Sequence, residues 1–311
     1  MSMEIRGRDF LRTSDFSTEE LELILKRASQ MKLALKKGQP SQQCLAGKSI
    51  AMLFQKPSTR TRLSFDVGIS QLGGHPIYLN WGDLQLGRGE TIHDTGKIFS
   101  CYVDGVVARV YRHADLEALA ASASIPVINA LSDEFHPCQA LSDCFTIIEK
   151  KGGLDGLKIA FVGDGGCNVS KSLTEAALQL GGSVVIASPK RYSPREELIS
   201  ELRRLAKGGA TLQITEDPVE AVRDADVIYT DVWVSMGTES DAENRLRELR
   251  PYQVNKELLA VSAPDSIVMH CLPAHRGEEI TQDVIDGPRS VVWEQAENRL
   301  HVQKGIMSLI L

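Results

Sequence analysis

Short apolar runs alternate with polar, helix-patterned stretches along the 311 residues of this chain. Ser17-Thr-Glu-Glu20 is a capping box ahead of Leu21, Leu25 and Ala28 at helical spacing, which predicts a helix over 17–37 ending at Gly38-Gln-Pro40. The run from Ser49 to Phe54 reads as a buried strand, broken at Lys56-Pro57, with a helix starting at Ser58. Gly73-Gly-His-Pro76 opens a strand at 77–79, and the polar, glycine-bearing stretch 85–90 is expected to be a mobile loop. A strand at 105–110, a helix at 114–123, a strand at 126–130 and a helix at 140–150 complete a first series. The turn-rich Lys151-Gly-Gly-Leu-Asp155 marks a boundary. Beyond it come a strand at 157–162, a helix at 170–180, a strand at 183–187, a helix near 194–207, a strand at 226–230, a long polar segment 234–250 and a strand at 267–269. Strands alternating with helices predict the α/β class, with two doubly wound parallel-sheet domains, an active-site cleft between them and ligands at the strands' C-terminal ends.

The chemistry-bearing residues fall at those ends. Ser58 is a helix N-cap, and Ser58, Thr59 and Thr61 surround first-turn N–H groups that attract anions. Arg60 and Arg62, two positions apart, point to different sides of the helix, so Arg60 is assigned to the anion and Arg62 to a structural ion pair. The string alone leaves an ordinary capped, solvated helix start equally open. Arg109 near one strand end and His136-Pro-Cys-Gln139 after another shift the balance toward a real site.

In the second series, Gly163-Asp-Gly-Gly-Cys-Asn168 follows a strand, but Asn168 stands where the dinucleotide fingerprint needs glycine and no acidic residue closes the next strand. The glycines are therefore read as a tight turn. Asp231 with Ser235 suits an ammonium group, or else an ordinary loop cap. His270, Cys271 and His275 have no carboxylate completing a metal set on the sequence, so no metal is assigned.

Composition narrows the picture further. Hydrophobic residues at 42% and charged residues at 24% are those of a globular protein, and a net charge of -6 with sparse aromatics argues against nucleic acid as a partner. Six cysteines without a CxxC pair, and no secretory leader, suit free thiols in a reducing cytoplasm. The acidic start (Glu4, Asp9, Asp15) is unlike an organelle transit peptide, and no apolar run matches a membrane span.

Four strings occur together: Ser58-Thr-Arg-Thr-Arg62, His136-Pro-Cys-Gln139, Asp231-Val-Trp-Val-Ser-Met-Gly237 and His270-Cys-Leu-Pro273. In them the chain resembles the aspartate/ornithine carbamoyltransferase superfamily over nearly its whole length, with the last two strings pointing to the ornithine branch. That resemblance implies a carbamoyl phosphate-binding domain at 1–150, an ornithine-binding domain at 151–294 and a C-terminal helix at about 295–311 that packs back on the first. It also implies trimers and no cofactor. Ser58, Thr59, Arg60 and Thr61 would hold the phosphate, while Arg109, His136 and Gln139 surround the carbamoyl group. Gln85 would reach a neighbouring subunit's site. Arg299, Cys271 and Leu272 would stand at the carbamoyl group, the last two beside the δ-amine. Asn168, Asp231, Ser235 and Met236 would hold the amino acid. The family pattern has two asparagines directly after Gly-Asp-Gly, whereas this chain has Gly166 and Cys167 before Asn168.

The implied reaction is attack of the ornithine δ-amine on carbamoyl phosphate, with Arg60, Arg109, His136 and Cys271 as the catalytic set and citrulline and phosphate as products. Transfer to aspartate, putrescine or an acylated ornithine, and a non-catalytic binding protein on the same scaffold, are the alternatives.

Overall fold

The computed structural model describes residues 5–235 and 239–311; Met236, one of the expected amino-acid contacts, lies outside the described residues. The chain divides into two compact units, Met1–Phe145 with Glu297–Leu311, and Thr146–Ala296.

In the first unit the order is α1 (Thr18–Lys36), β1 (Ser49–Phe54), α2 (Thr59–Gln71), β2 (His75–Asn80), α3 (Ile92–Tyr102), β3 (Gly105–Arg109), α4 (His113–Ser122), β4 (Val127–Leu131) and the start of α5 (Pro137–Lys151). The four strands form a parallel sheet in the order β2-β1-β3-β4. β1 and β3 are buried along almost their whole length, as parallel strands covered on both faces must be. Pro76 falls on the edge strand β2, where its missing N–H leaves no ladder bond unmade. Ser17 caps α1 through the expected box. The chain order reverses between β1 and β3, so the loops leaving these two strands frame the crevice where such sheets bind ligands.

The second unit continues with β5 (Lys158–Val162), α6 (Asn168–Gln179), β6 (Ser183–Ala187), α7 (Glu196–Arg204), β7 (Leu212–Thr215), α8 (Pro218–Val222), β8 (Val227–Thr230), α9 (Ala242–Leu249), α10 (Lys256–Leu259), β9 (Ile267–His270), α11 (Gln282–Ile285) and the start of α12 (Val292–Ile310). Its parallel sheet runs β7-β6-β5-β8-β9, with the reversal between β5 and β8.

Residues 297–310 of α12 belong to the first unit. They back closely onto α1: a Cβ at Gly305 would lie 2.8 Å from the Ile24 carbonyl oxygen, so only glycine permits the approach.

Several expectations change. The stretch 85–90 carries a 3-10 turn, Gln85–Arg88, with Leu86 packed into the core, so it is more ordered than a polar loop. Thr91 caps α3, an element the sequence reading did not include. α5 starts at Pro137, three residues early, because proline suits the first helical position. Part of the polar segment 234–250 folds as α9, whose inner face is Arg245 and Leu249. No helix among the described residues is long and apolar enough to cross a membrane.

Candidate active site

The first cluster grows from the start of α2. Ser58 is extended (φ -158°) and its Oγ accepts from the Thr61 N–H at 3.3 Å, which caps the helix and leaves other first-turn N–H groups outward. Thr61 is fully buried, and two guanidinium groups converge on its hydroxyl. Arg299 Nη2, from α12, donates to Thr61 Oγ1 at 2.9 Å, and Arg109 Nη1, from the end of β3, reaches it at 3.5 Å. His136 is buried beside them; burial first, then the charges of Arg299 and Arg109, hold its imidazole well below the usual 6.5. It is thus neutral at physiological pH and able to donate a hydrogen bond without charge. Gln139, one turn into α5, donates from Nε2 to Asp143 Oδ1 at 2.8 Å, which fixes its amide orientation. Its buried Oε1 has no protein partner and is left as an acceptor.

Ser58, Arg60, Thr61, Arg109, His136, Gln139 and Arg299 are all in the first unit, as are Thr59 and Gln85. Gln85 is exposed on its 3-10 turn, and among the described residues no hydrogen bond ties its side chain to the cluster. Among the described residues Arg62 has no ion-pair partner, unlike the expectation: its guanidinium lies over the Tyr78 ring of β2, 3.8 Å from the centroid.

The second cluster stands at the ends of β8 and β9. Cys271 Sγ donates to Asp231 Oδ1 at 3.0 Å, and the same oxygen accepts from the Val232 N–H at 2.8 Å. His270 is completely buried; its Nδ1 accepts from the Leu272 N–H at 2.8 Å, which leaves Nε2 to donate to Glu279 Oε1 at 3.0 Å. That bond holds Leu272 in the left-handed region (φ +60°). Carboxylates therefore do stand beside this trio, contrary to the sequence expectation. Asp231, His270 and Cys271 have ligand atoms within 4.8 Å of one another, as do His275, Glu278 and Glu279. Both ring nitrogens of His270 are already engaged in the hydrogen bonds that shape the turn.

The glycine turn after β5 is equally specific. Gly163 has φ +130°, and a Cβ at Gly165 would meet Ile186 Cγ2 at 2.6 Å. The extra Gly166 donates to the Tyr192 carbonyl at 2.7 Å, and Cys167 takes the N-cap of α6, its buried Sγ accepting from the Ser170 N–H at 3.4 Å. Burial, then Asp164 and Asp231, push the Cys167 thiol well above its ordinary value, so it remains protonated. Asn168 becomes the first residue of α6.

Sequence reasoning missed Arg245. Buried on α9, it pairs with Asp164 of the glycine turn, donates from Nε to the Trp233 carbonyl at 2.6 Å and lies over the Tyr192 ring. It thereby ties the segment between Asp231 and Ser235 to the turn that carries Asn168. Burial raises the Asp164 carboxyl to about 6 despite Arg245. The acid between two glycines was a visible signal; its partner, 81 residues on, was not.

Comparison with known proteins accounts for both units. Residues 8–149 match the family model described as the carbamoyl-P binding domain of aspartate/ornithine carbamoyltransferase, and residues 155–310 match its Asp/Orn binding domain. The ornithine carbamoyltransferase of Thermococcus kodakarensis is 57% identical, over 100% of this chain and 98% of its own length. The Pyrococcus furiosus protein named "Ornithine carbamoyltransferase, anabolic" is 54% identical, over 100% and 98%. The solved ornithine carbamoyltransferase structure from Pyrococcus furiosus superposes with a TM-score of 0.95 at 54% identity, covering 99% of this chain and 98% of that one. That from Thermus thermophilus gives 0.87 at 43%, covering 97% and 99%. The chain belongs to the aspartate/ornithine carbamoyltransferase family.

Proposed function

We infer that the chain transfers the carbamoyl group of carbamoyl phosphate to the δ-amine of L-ornithine, giving L-citrulline and phosphate. The observation that carries this reading is the convergence of Arg109 and Arg299 on Thr61 at the capped start of α2, with neutral His136 beside them. Ser58, Thr59, Arg60 and Thr61 hold the phosphate with the first-turn N–H groups of α2. Arg60, Arg109, Arg299 and His136 donate to the carbonyl oxygen, and Gln139 Oε1 accepts from the carbamoyl NH₂.

The δ-amine, with an ordinary pKa of about 10.4, loses a proton before it attacks. Its lone pair forms the new C–N bond while the carbonyl π pair moves to oxygen. Collapse of that tetrahedral intermediate breaks the C–O bond, phosphate leaves with the electron pair, and the nitrogen gives up its second proton. Preorganised donors at the oxyanion are worth about 3 kcal/mol each in such a step.

Asn168, Asp231, Ser235 and Met236 take the α-carboxylate and α-ammonium of ornithine, and Cys271 and Leu272 orient the δ-amine at the carbamoyl group. The Asp231–Cys271 hydrogen bond fixes that thiol in place. We further assign the chain to a cytoplasmic, biosynthetic role in arginine formation, as a homotrimer in which Gln85 completes a neighbour's site. Citrulline formation by the purified protein, given carbamoyl phosphate with ornithine, aspartate, putrescine or N-acetylornithine, tests the reading. Turnover with ornithine alone is expected; turnover with another amine would overturn the acceptor half and keep the donor half.

A further inference from the structure

Away from both clusters, the first unit holds a cavity of about 50 Å³, walled by α1, the segment around Ser41 and α12. Two cations line it, Arg27 and Lys304. Lys304 is only 1% exposed, and its Nζ donates to Gln71 Oε1 at 2.7 Å and to Ser41 Oγ at 3.4 Å. Arg27 Nη1 donates to Gln42 Oε1 at 3.1 Å. Every one of these acceptors is neutral, and among the described residues no carboxylate pairs with either cation. The nearby Cys44 thiol is pushed above its ordinary value by burial, so it brings no negative charge.

A buried ammonium without a counter-charge is unfavourable, and burial correspondingly lowers the Lys304 pKa. The donors not yet used are the third Lys304 N–H, the rest of the Arg27 fork and the Ser41 hydroxyl proton, whose oxygen already accepts from Lys304. Charged donors on several walls of one small space match an oxyanion, because guanidinium geometry favours two oxygens at once. The volume exceeds the roughly 15 Å³ that a single water needs.

We propose that this cavity binds a small inorganic oxyanion of the phosphate or sulfate class, held by Arg27, Lys304 and Ser41. The bound anion ties α1 to α12, the helix that also carries Arg299 to Thr61. This site is separate from the anion site at α2 and does not depend on the carbamoyl-transfer reading.

Melting temperature is followed against dilute sulfate at constant ionic strength in the Arg60→Gly protein, whose α2 site is disabled, and in Arg60→Gly with Arg27→Gln. The saturable rise in melting temperature is expected to survive in the first protein. The sulfate concentration for half of that rise is expected to increase about tenfold in the second, for the loss of one charged hydrogen-bonding group. Arg27 is half-exposed, so its replacement leaves the fold intact; Lys304→Met is the harsher companion. Crystals soaked in selenate are expected to show an anomalous peak within hydrogen-bond distance of Lys304 Nζ and Arg27. No saturable rise in Arg60→Gly, a rise indifferent to Arg27→Gln, or a cavity without selenate would each overturn the proposal.

Discussion

The two clusters solve different physical problems. In the first unit, charge is gathered: buried guanidinium groups from a strand end and from α12 meet on one threonine hydroxyl at a helix start, around an imidazole kept neutral. On the proposed reading these donors are in place before negative charge develops, which is the condition for strong transition-state stabilisation. In the second unit, carboxylates are individually partnered. Asp231 is met by a thiol, and Asp164 by Arg245, which also grips the Trp233 carbonyl. On the proposed reading, such a cluster positions the amino acid rather than stabilising an oxyanion. The contrast, on that reading, gives the rate to the donor half and the choice of amine to the acceptor half.

The largest effect expected from breaking this contrast is in the donor half. Arg60→Gly should leave a folded protein whose turnover falls roughly 100- to 1,000-fold, measured as citrulline formed at saturating substrates. Normal turnover would remove Arg60 from the chemistry. Next, Asp231→Ala should lower kcat/KM for ornithine by roughly 10- to 100-fold, the loss of a charged hydrogen bond, with KM for carbamoyl phosphate little changed. A selective loss on the carbamoyl phosphate side would reverse the assignment of the two halves.

Arg245→Gln sharpens the comparison at a residue that touches no substrate in this account. It should raise KM for ornithine about tenfold and leave kcat within a few-fold, because it releases Trp233 from the glycine turn without altering the oxyanion donors. A fall in kcat with KM unchanged would place Arg245 in the chemistry instead.

The smallest effect is on stability against pH. Asp164 has its folded value raised from 3.8 to about 6. Between those values the folded state holds a proton that the unfolded state has released, so this contribution is fully present below about pH 4 and is lost as pH rises through 6. Denaturant titrations of Asp164→Asn should lack that decline, worth on the order of 1–3 kcal/mol. His136 has the opposite sign: its depressed value favours the folded state above the ordinary 6.5 and withdraws that support as pH falls. An Asp164→Asn variant with unchanged pH dependence would show that Arg245 keeps the carboxylate ionised.

Much of this was legible because its causes are local. Ser58 after Pro57 announces a helix start, and the apolar run before it can only be a buried strand. Strand ends then place Arg109, His136, Asp231 and Cys271 without further information. What escaped depends on partners distant in sequence. Arg62 stacks on Tyr78 of a neighbouring strand, which helical spacing does not reveal. Arg245 lies on a short helix whose apolar signal is only Leu246 and Leu249, and its contacts come from Asp164, Tyr192 and Trp233. α3 buries Thr95, Gly96 and Phe99, two of which carry no hydrophobic signal. Glu279 reaches His270 from across a turn. The extra Gly166 was visible, but its role as a donor to Tyr192 needed the fold.

The division of labour between the two units is tested most directly by equilibrium binding of carbamoyl phosphate to Arg60→Gly and to Asp231→Ala, side by side, with circular dichroism confirming that both are folded. Carbamoyl phosphate binding is expected to collapse in Arg60→Gly and to stay within a few-fold of the parent in Asp231→Ala. Equal weakening in the two variants, or loss in Asp231→Ala alone, would contradict it.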